Sequence, residues 1–431
     1  MSLPWREPVE ALAPLRDEAM SLLMHGGGEG VSGRRSFLCA FPEFTVIEND
    51  PHAAFAALKA RRAPLVEACE ETGFIGGYAG LFSYDLGQAF ERTPQSPPGL
   101  GAWPAVAAGW YPAVAVFDHD ARRLTVRGDC AAVQRLAEAI TAPARHENAG
   151  PGRFDQVWSD GRYLSAAIQA VDYVRAGDVF QVNLSHPFRG VLPGDDGPFR
   201  LIRRLAAQSP AAFSAYLRID SERAVVTNSP ERFVSVEPSG RVQTRPIKGT
   251  RPRAADPETD SRAAAELAAS DKDRAENLMI VDLMRNDIAR VCKTGSVRAP
   301  DLFKVESFSN VHHLVSTVTG QLADGRDVFD LLSASFPPGS ITGAPKVRAM
   351  EIIAELEGES RGPYCGALGW IGADGAADLN VMIRTAACVK DGPDWRAEVR
   401  SGGAIVIESD PKEELAETRA KAGALFKAAG P

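Results

Sequence analysis

The order of strand- and helix-forming stretches is what most limits the fold of this chain. "AVVTNSPERFVSVEPSGRVQTRPI" (224–247) reads as strands around a Pro-Ser-Gly turn. "GALGWIG" (366–372), "LNVMIRTAACV" (379–389) and "AEVRSGGAIVIES" (397–409) follow as three more strands before a final helix. Helices are present too. "DGRYLSAAIQAVDYVRAG" (160–177) reads as one ending near Gly177, with a strand at 179–185 after it, and "SDKDRAENLMIVDLMRNDIARV" (270–291) as a long one capped by Ser270. Asp410, Pro411 and Glu413 start the last helix. Strict β-α-β alternation is missing, which points to a layered α+β or mixed sandwich rather than a parallel doubly wound sheet.

With 431 residues the chain exceeds one ordinary core. Residues 1–141 mix short strands ("AVAVFDH", "RLTVRG") with a helical stretch, "AAFAALKARRAPLVEACEETG". Residues 142–154 are polar and rich in Gly and Pro, as a linker or surface loop would be, and 155–427 form the more tightly patterned part. The net charge of −8 and the lack of a basic arm give no support to a nucleic-acid partner. The longest uncharged run, Thr93–Phe117, holds Pro94, Pro97, Pro98, Pro104 and Pro112, so it reads as loop and buried strand, not membrane span. Cysteines 39, 69, 130, 292, 365 and 388 show no C-x-x-C or zinc spacing and read as reduced thiols of a cytoplasmic protein.

Several residue sets could carry chemistry. Glu414 and Glu417 lie three apart at the start of the last helix and share one side, with Lys421 a turn further on. Glu276 stands one turn into the long helix. Facing each other, Glu276 and Glu417 would make a sparse all-oxygen site suited to Mg²⁺. The glycine turns at 337–350 and 401–406 offer backbone N–H groups to a small anion, and Arg384 offers a carboxylate fork. No Walker A loop or G-x-G-x-x-G is present. Of the adjacent His312 and His313, a strand sends only one to a given side. Lys248, in "PIKGTRPR" (246–253), sits where a strand runs into a turn at Gly249, placed to reach into a cleft.

Taken in order, "AGDVFQVNLS", "SPERF", "PIKGTRPR", "DRAENLMIVDLMRNDIAR", "HHLVSTVTG", "PPGSITGAPKVRAMEII", "RGPYCGALGWIG" and "SGGAIVIESDPKEELAETRAKA" resemble the chorismate-utilising enzymes. That family includes anthranilate, aminodeoxychorismate, isochorismate and salicylate synthases. The likeness is dense over 155–425 and looser before it, through "GGYAGLFSYD" (76–85). It implies a large sandwich of two facing, mostly antiparallel sheets with helices outside and the active site between the sheets, the two regions interleaving. It implies chorismate as substrate and Mg²⁺ as cofactor. Glu276 and Glu417 would be the metal ligands, with Glu414 assisting. Tyr364, Arg384, Gly402, Gly403 and Ala404 would hold the substrate carboxylates, with Lys421 nearby. Ser340 and Thr342 would line the ring site, and His313 would stand near the ring hydroxyl.

The resemblance also separates the products. Anthranilate synthases resemble P-I-A-G-T where this chain has P-I-K-G-T, the aminodeoxychorismate synthase pattern. Lys248 is then the expected nucleophile and Glu231 the general acid, giving 4-amino-4-deoxychorismate for 4-aminobenzoate and folate synthesis. The water-activating lysine of isochorismate and salicylate synthases is replaced by Gln181. A non-catalytic chorismate-binding paralogue is disfavoured by the intact set of Glu231, Lys248, Glu276 and Glu417. "SFLCAF" (36–41) lacks the Glu-Ser pair associated with tryptophan inhibition. With no glutaminase segment in the chain, a separate glutaminase subunit is the expected ammonia source.

Overall fold

The computed structural model describes residues 1–27, 33–60, 73–144, 149–308 and 311–430. Residues 61–72 of the expected N-terminal helix and 145–148 of the expected linker lie outside the described residues. The described strands form two antiparallel sheets. The first runs Ser2–Leu3, Arg123–Gly128, Ala113–Asp118, Arg35–Cys39, Ser21–His25, Phe213–Arg218, Arg223–Ser229, Thr385–Asp391, Asp394–Ile405, Gln181–Leu192 and Gly343–Ala344, with Arg153–Gln156 also on Gln181–Leu192. The second runs Ile247–Pro252, Val311–Gln321, Arg241–Thr244, Arg232–Val236, Ala377–Asn380, Ala367–Gly372, Gly77–Phe82, Val106–Tyr111 and Phe44–Glu48, with Arg298–Ser307 also on Val311–Gln321.

The sheets face each other across one apolar layer. Leu22, Leu217 and Val225 of the first meet Ala79, Leu81, Leu368 and Trp370 of the second. Helices cover the outer faces: Cys130–Thr141, Gly197–Gln208 and Pro411–Ala429 lie on the first sheet, and Asp271–Ala289 and Val328–Ser335 on the second. This is the α+β sandwich expected. Strands from before residue 141 enter both sheets, Ser21–His25 pairing with Phe213–Arg218 and Gly77–Phe82 with Ala367–Gly372.

Two stretches differ from their reading in the sequence. "LNVMIRTAACV" is not one strand: Ala377–Asn380 belongs to the second sheet and Thr385–Asp391 to the first, so residues 381–384 cross between layers. Gly249 does not end its strand. The pairing continues to Pro252 with a register shift between Ile247 and Thr250, so the glycine sits in a bulge (φ +82°). Among the described residues no helix is long and apolar enough to cross a membrane.

Candidate active site

The site forms where the chain changes sheets. Glu231 lies between Ser229, the last residue of a first-sheet strand, and Arg232, the first of a second-sheet strand. Arg384 ends the crossing in the opposite direction. The crossings are tied together, Val381 N–H donating to the Glu231 carbonyl at 3.0 Å and Asn228 N–H to the Arg384 carbonyl at 2.9 Å. Arg384 adopts φ +51°, strained for a residue with a side chain. Its guanidinium has no hydrogen-bond or ion-pair partner among the described residues. Burial lowers its pKa, opposed by the negative charge of Glu231.

Glu231 is buried, and burial pushes its carboxyl up to about 7. The Ser340 hydroxyl, Lys248, the Ile247 backbone N–H and Lys421 hold the rise in check. Lys248 is half-buried by surface area but enclosed at its charged end. That enclosure lowers its pKa, as does Lys421, against the opposing pull of Glu276, Glu231 and Glu417. An acid with pKa near 7 coupled to an amine of lowered pKa has the properties that a general acid and a nucleophile require.

The bulge at Gly249 lets the helix bearing Glu276 come close. A Cβ there would lie 2.8 Å from both Asp273 Cγ and Leu267 Cδ1, and Asp273 in turn pairs with Arg251 at 3.0 Å. Gly249→Ala is therefore expected to cost about 1–3 kcal/mol of stability and to lower kcat by moving Lys248. Urea unfolding and steady-state rates on the same preparation check this.

The carboxylates come from two capped helix starts. Ser270 Oγ accepts from Asp273 N–H at 3.3 Å, and Asp410 Oδ1 accepts from Lys412 and Glu413 N–H at 2.8 and 3.1 Å. Burial raises the Glu276 and Glu414 carboxyls. It also raises Glu417, but Lys421 (2.6 Å), Lys248 and Lys272 outweigh it and leave that carboxyl below its usual value. Glu414 takes the Ser409 hydroxyl at 2.8 Å, and a Cβ at position 403 would lie 2.6 Å from its Oε2. Lys421 Nζ also donates to the Gly402 carbonyl at 3.1 Å. Among the described residues no three His, Cys, Asp or Glu side chains converge closely enough to hold a metal by themselves. The set fits a hard cation that takes one or two carboxylates here and the rest of its oxygens from substrate and water.

His313 is buried, its Nδ1 2.8 Å from Thr250 Oγ1, two residues past Lys248. Burial, Arg384 and His312 push its pKa down to about 4, so it is neutral at pH 7. His312 faces away, to Ser307 at 2.8 Å and Asp260 at 3.0 Å. Thr342 turns its hydroxyl back to the Pro338 and Gly339 carbonyls at 3.2 and 3.3 Å. Tyr364 is buried under Arg361, whose guanidinium lies 5.7 Å from its ring, and none of its recorded polar contacts reaches Lys248. It borders a separate cavity of about 390 Å³ with Thr385 and Arg400; Lys248, Glu231 and Glu276 are not among its walls. Charge and crossing geometry, not cavity size, mark this candidate site.

Beside the centre lies a buried cluster that residue types alone did not reveal. Glu357 takes Arg361 at 2.6 Å, Arg400 at 3.0 Å and Ser185 N–H at 2.8 Å. Burial raises the Glu357 carboxyl, but the two guanidiniums more than reverse this. The cluster ties the first sheet to the segment before Tyr364.

Comparison with known proteins identifies the family. The pattern of the chorismate binding enzymes matches residues 34–427. The chain belongs to that family. The aminodeoxychorismate synthase component 1 of Klebsiella aerogenes is 39% identical over 97% of this chain and 96% of its own length. The anthranilate synthase component 1 of Streptomyces coelicolor is 38% identical over 98% and 86%. The crystal structure of anthranilate synthase component I from Streptococcus pneumoniae superimposes with a TM-score of 0.79 at 30% identity, covering 92% of this chain and 93% of that one. Overall identity within the family therefore does not separate the two products.

Proposed function

We propose that this chorismate binding enzyme converts chorismate and ammonia to 4-amino-4-deoxychorismate by two displacements. The observation that carries this reading is Lys248, an enclosed amine with a lowered pKa, within electrostatic reach of Glu276 and of Glu231, an acid held near 7. In the first displacement Lys248 Nζ bonds to ring C2, both ring double bonds shift (C1=C2 to C1=C6 and C5=C6 to C4=C5) and the C4–O bond breaks. Glu231 gives its proton to the departing hydroxyl, which leaves as water. In the second, ammonia bonds to C4, both double bonds return to their original positions and the C2–N bond to Lys248 breaks. The Glu231 carboxylate takes up the proton released by the new amine. Arg384 and the backbone at Gly402, Gly403 and Ala404 are assigned to the substrate carboxylates, with Lys421 beside them. Ser340, which bonds Glu231, and Thr342 line the ring site, and neutral His313 stands by the ring hydroxyl; Tyr364, expected at the substrate carboxylates, borders the separate cavity instead.

Glu276 and Glu417, with Glu414 assisting, would hold Mg²⁺, which when bound neutralises and orients a substrate carboxylate. A separate glutaminase subunit would supply ammonia, with free ammonium as its substitute. The described cysteines are all free thiols, which supports a cytoplasmic setting.

Trapping tests this directly. With chorismate and Mg²⁺ but no ammonium, Lys248 is expected to gain the mass of chorismate less one water, mapped by peptide mass spectrometry. Amine product formed on adding ammonium, with no such adduct at any time, would replace the double displacement by a single one.

A further inference from the structure

The strand Gln181–Leu192 runs between two segments of the site. Gln181 pairs with Ala344 on one side, just past Ser340 and Thr342, and Asn183 pairs with Ala404 on the other. Asn183 N–H also donates to the Thr342 carbonyl at 2.8 Å. Strand alternation sends Val182 and Leu184 to one face, into the apolar cluster with the helices Asp160–Ala176 and Lys346–Glu357. Gln181 and Asn183 therefore point to the other face, the one shared with the Cα atoms of Gly402 and Ala404. Gln181 is 0% exposed and Asn183 6%. Even so, Gln181 Nε2, Gln181 Oε1 and Asn183 Nδ2 have no hydrogen-bond partner among the described residues.

Three unpaired polar atoms on adjacent same-face positions are costly, because a buried amide group left unsatisfied forfeits about 1–3 kcal/mol. A fold keeps such a cost where a ligand repays it. The neighbouring segments restrict the ligand. The Gly402–Ala404 backbone and the Ser340–Thr342 loop are two parts of the site assigned above, and the two unpaired donors are neutral N–H groups that suit oxygen acceptors.

We propose that Gln181 and Asn183 are substrate-positioning residues, their amides donating to the carboxylate and ether oxygens of an enolpyruvyl-bearing dicarboxylate. The assignment rests on the chorismate reading above and extends it to two side chains facing the ring from the first sheet. Amides grip those oxygens without protonating them, so the enolpyruvyl group is held while C4 reacts.

The test uses near-isosteric apolar replacements, Gln181→Met and Asn183→Leu, with Asn183→Ala as a second variant in case the larger side chain disturbs folding. Melting temperature without ligand, chorismate-induced stabilisation, and KM for chorismate and for ammonium are measured on each. The expected result is a ligand-free melting temperature equal to or above wild type. The chorismate KM rises about tenfold or more and the chorismate-induced shift is lost, while the ammonium KM stays within about twofold. A lowered melting temperature with an unchanged chorismate KM would make the pair structural and overturn the proposal. A raised ammonium KM alone would make it a seat for the amine, and would also overturn it. Wild-type protein that fails to respond to chorismate at all would defeat the underlying reading instead, an outcome distinct from variants that respond as wild type does.

Discussion

Lys248→Ala is expected to lower formation of 4-amino-4-deoxychorismate on the order of a thousandfold or more, because the first displacement loses its nucleophile. Chorismate binding should largely survive. Arg384, the carboxylates and the glycine strand are untouched, and removing one positive charge leaves Lys421 in place. Lys248→Arg should be no better than Lys248→Ala, since a guanidinium stays protonated and cannot attack carbon. Calorimetric titration with chorismate and product quantification by mass spectrometry separate the two effects. A Lys248→Ala protein that still makes the amine at a comparable rate would show that this lysine only shapes the site.

Glu231→Gln should pull activity and stability in opposite directions. Without its acid, the step that expels the C4 hydroxyl should slow by about 10²–10⁴-fold. Stability follows from the raised carboxyl. The folded pKa of about 7 lies above the ordinary glutamate value of 4.5. Stability linked to Glu231 is therefore fully present below the unfolded value and is lost as pH rises through the folded one. At pH 8 the wild-type protein carries an ionised, buried carboxylate at a cost of up to about 3 kcal/mol, which a neutral glutamine avoids. The variant should melt above wild type at pH 8, and the gap should close toward pH 4. A variant less stable than wild type at pH 8 would mean that the contacts with Ser340, Lys248 and the Ile247 N–H outweigh burial.

The parts of the fold legible in the sequence are those governed by local chemistry. Ser270 and Asp410 cap their helices in the structure because a side-chain oxygen before an apolar run satisfies the first N–H groups whatever surrounds it. Gly177 adopts φ +84° at the end of its helix for the same local reason. The helix Pro257–Ala269 carries an equally local signal, Asp256 followed by Pro257, and could have been found from it.

What stayed hidden depends on partners distant in sequence. Residues 381–384 cross between sheets without Gly or Pro, and residues 379–382 and 385–388 are buried on both sides of the crossing, so nothing in the local pattern marks the change of layer. Arg384 owes its unusual backbone to that crossing. Glu357, Arg361 and Arg400 look individually like solvated surface charges, and only their convergence in space lets them be buried. Lys248, Glu276, Glu417 and Lys421 stand out by residue type and spacing, and Glu231 only through the family resemblance. Their shared electrostatic environment depends on two capped helices, one bulge and one change of sheet meeting at a single place.

The most direct measurement is product identity. Purified wild-type chain with chorismate, Mg²⁺ and ammonium, analysed by chromatography and mass spectrometry, should yield 4-amino-4-deoxychorismate that retains its enolpyruvyl group. Anthranilate with released pyruvate would contradict the account, and would mean that Lys248 does not direct the amine to C4.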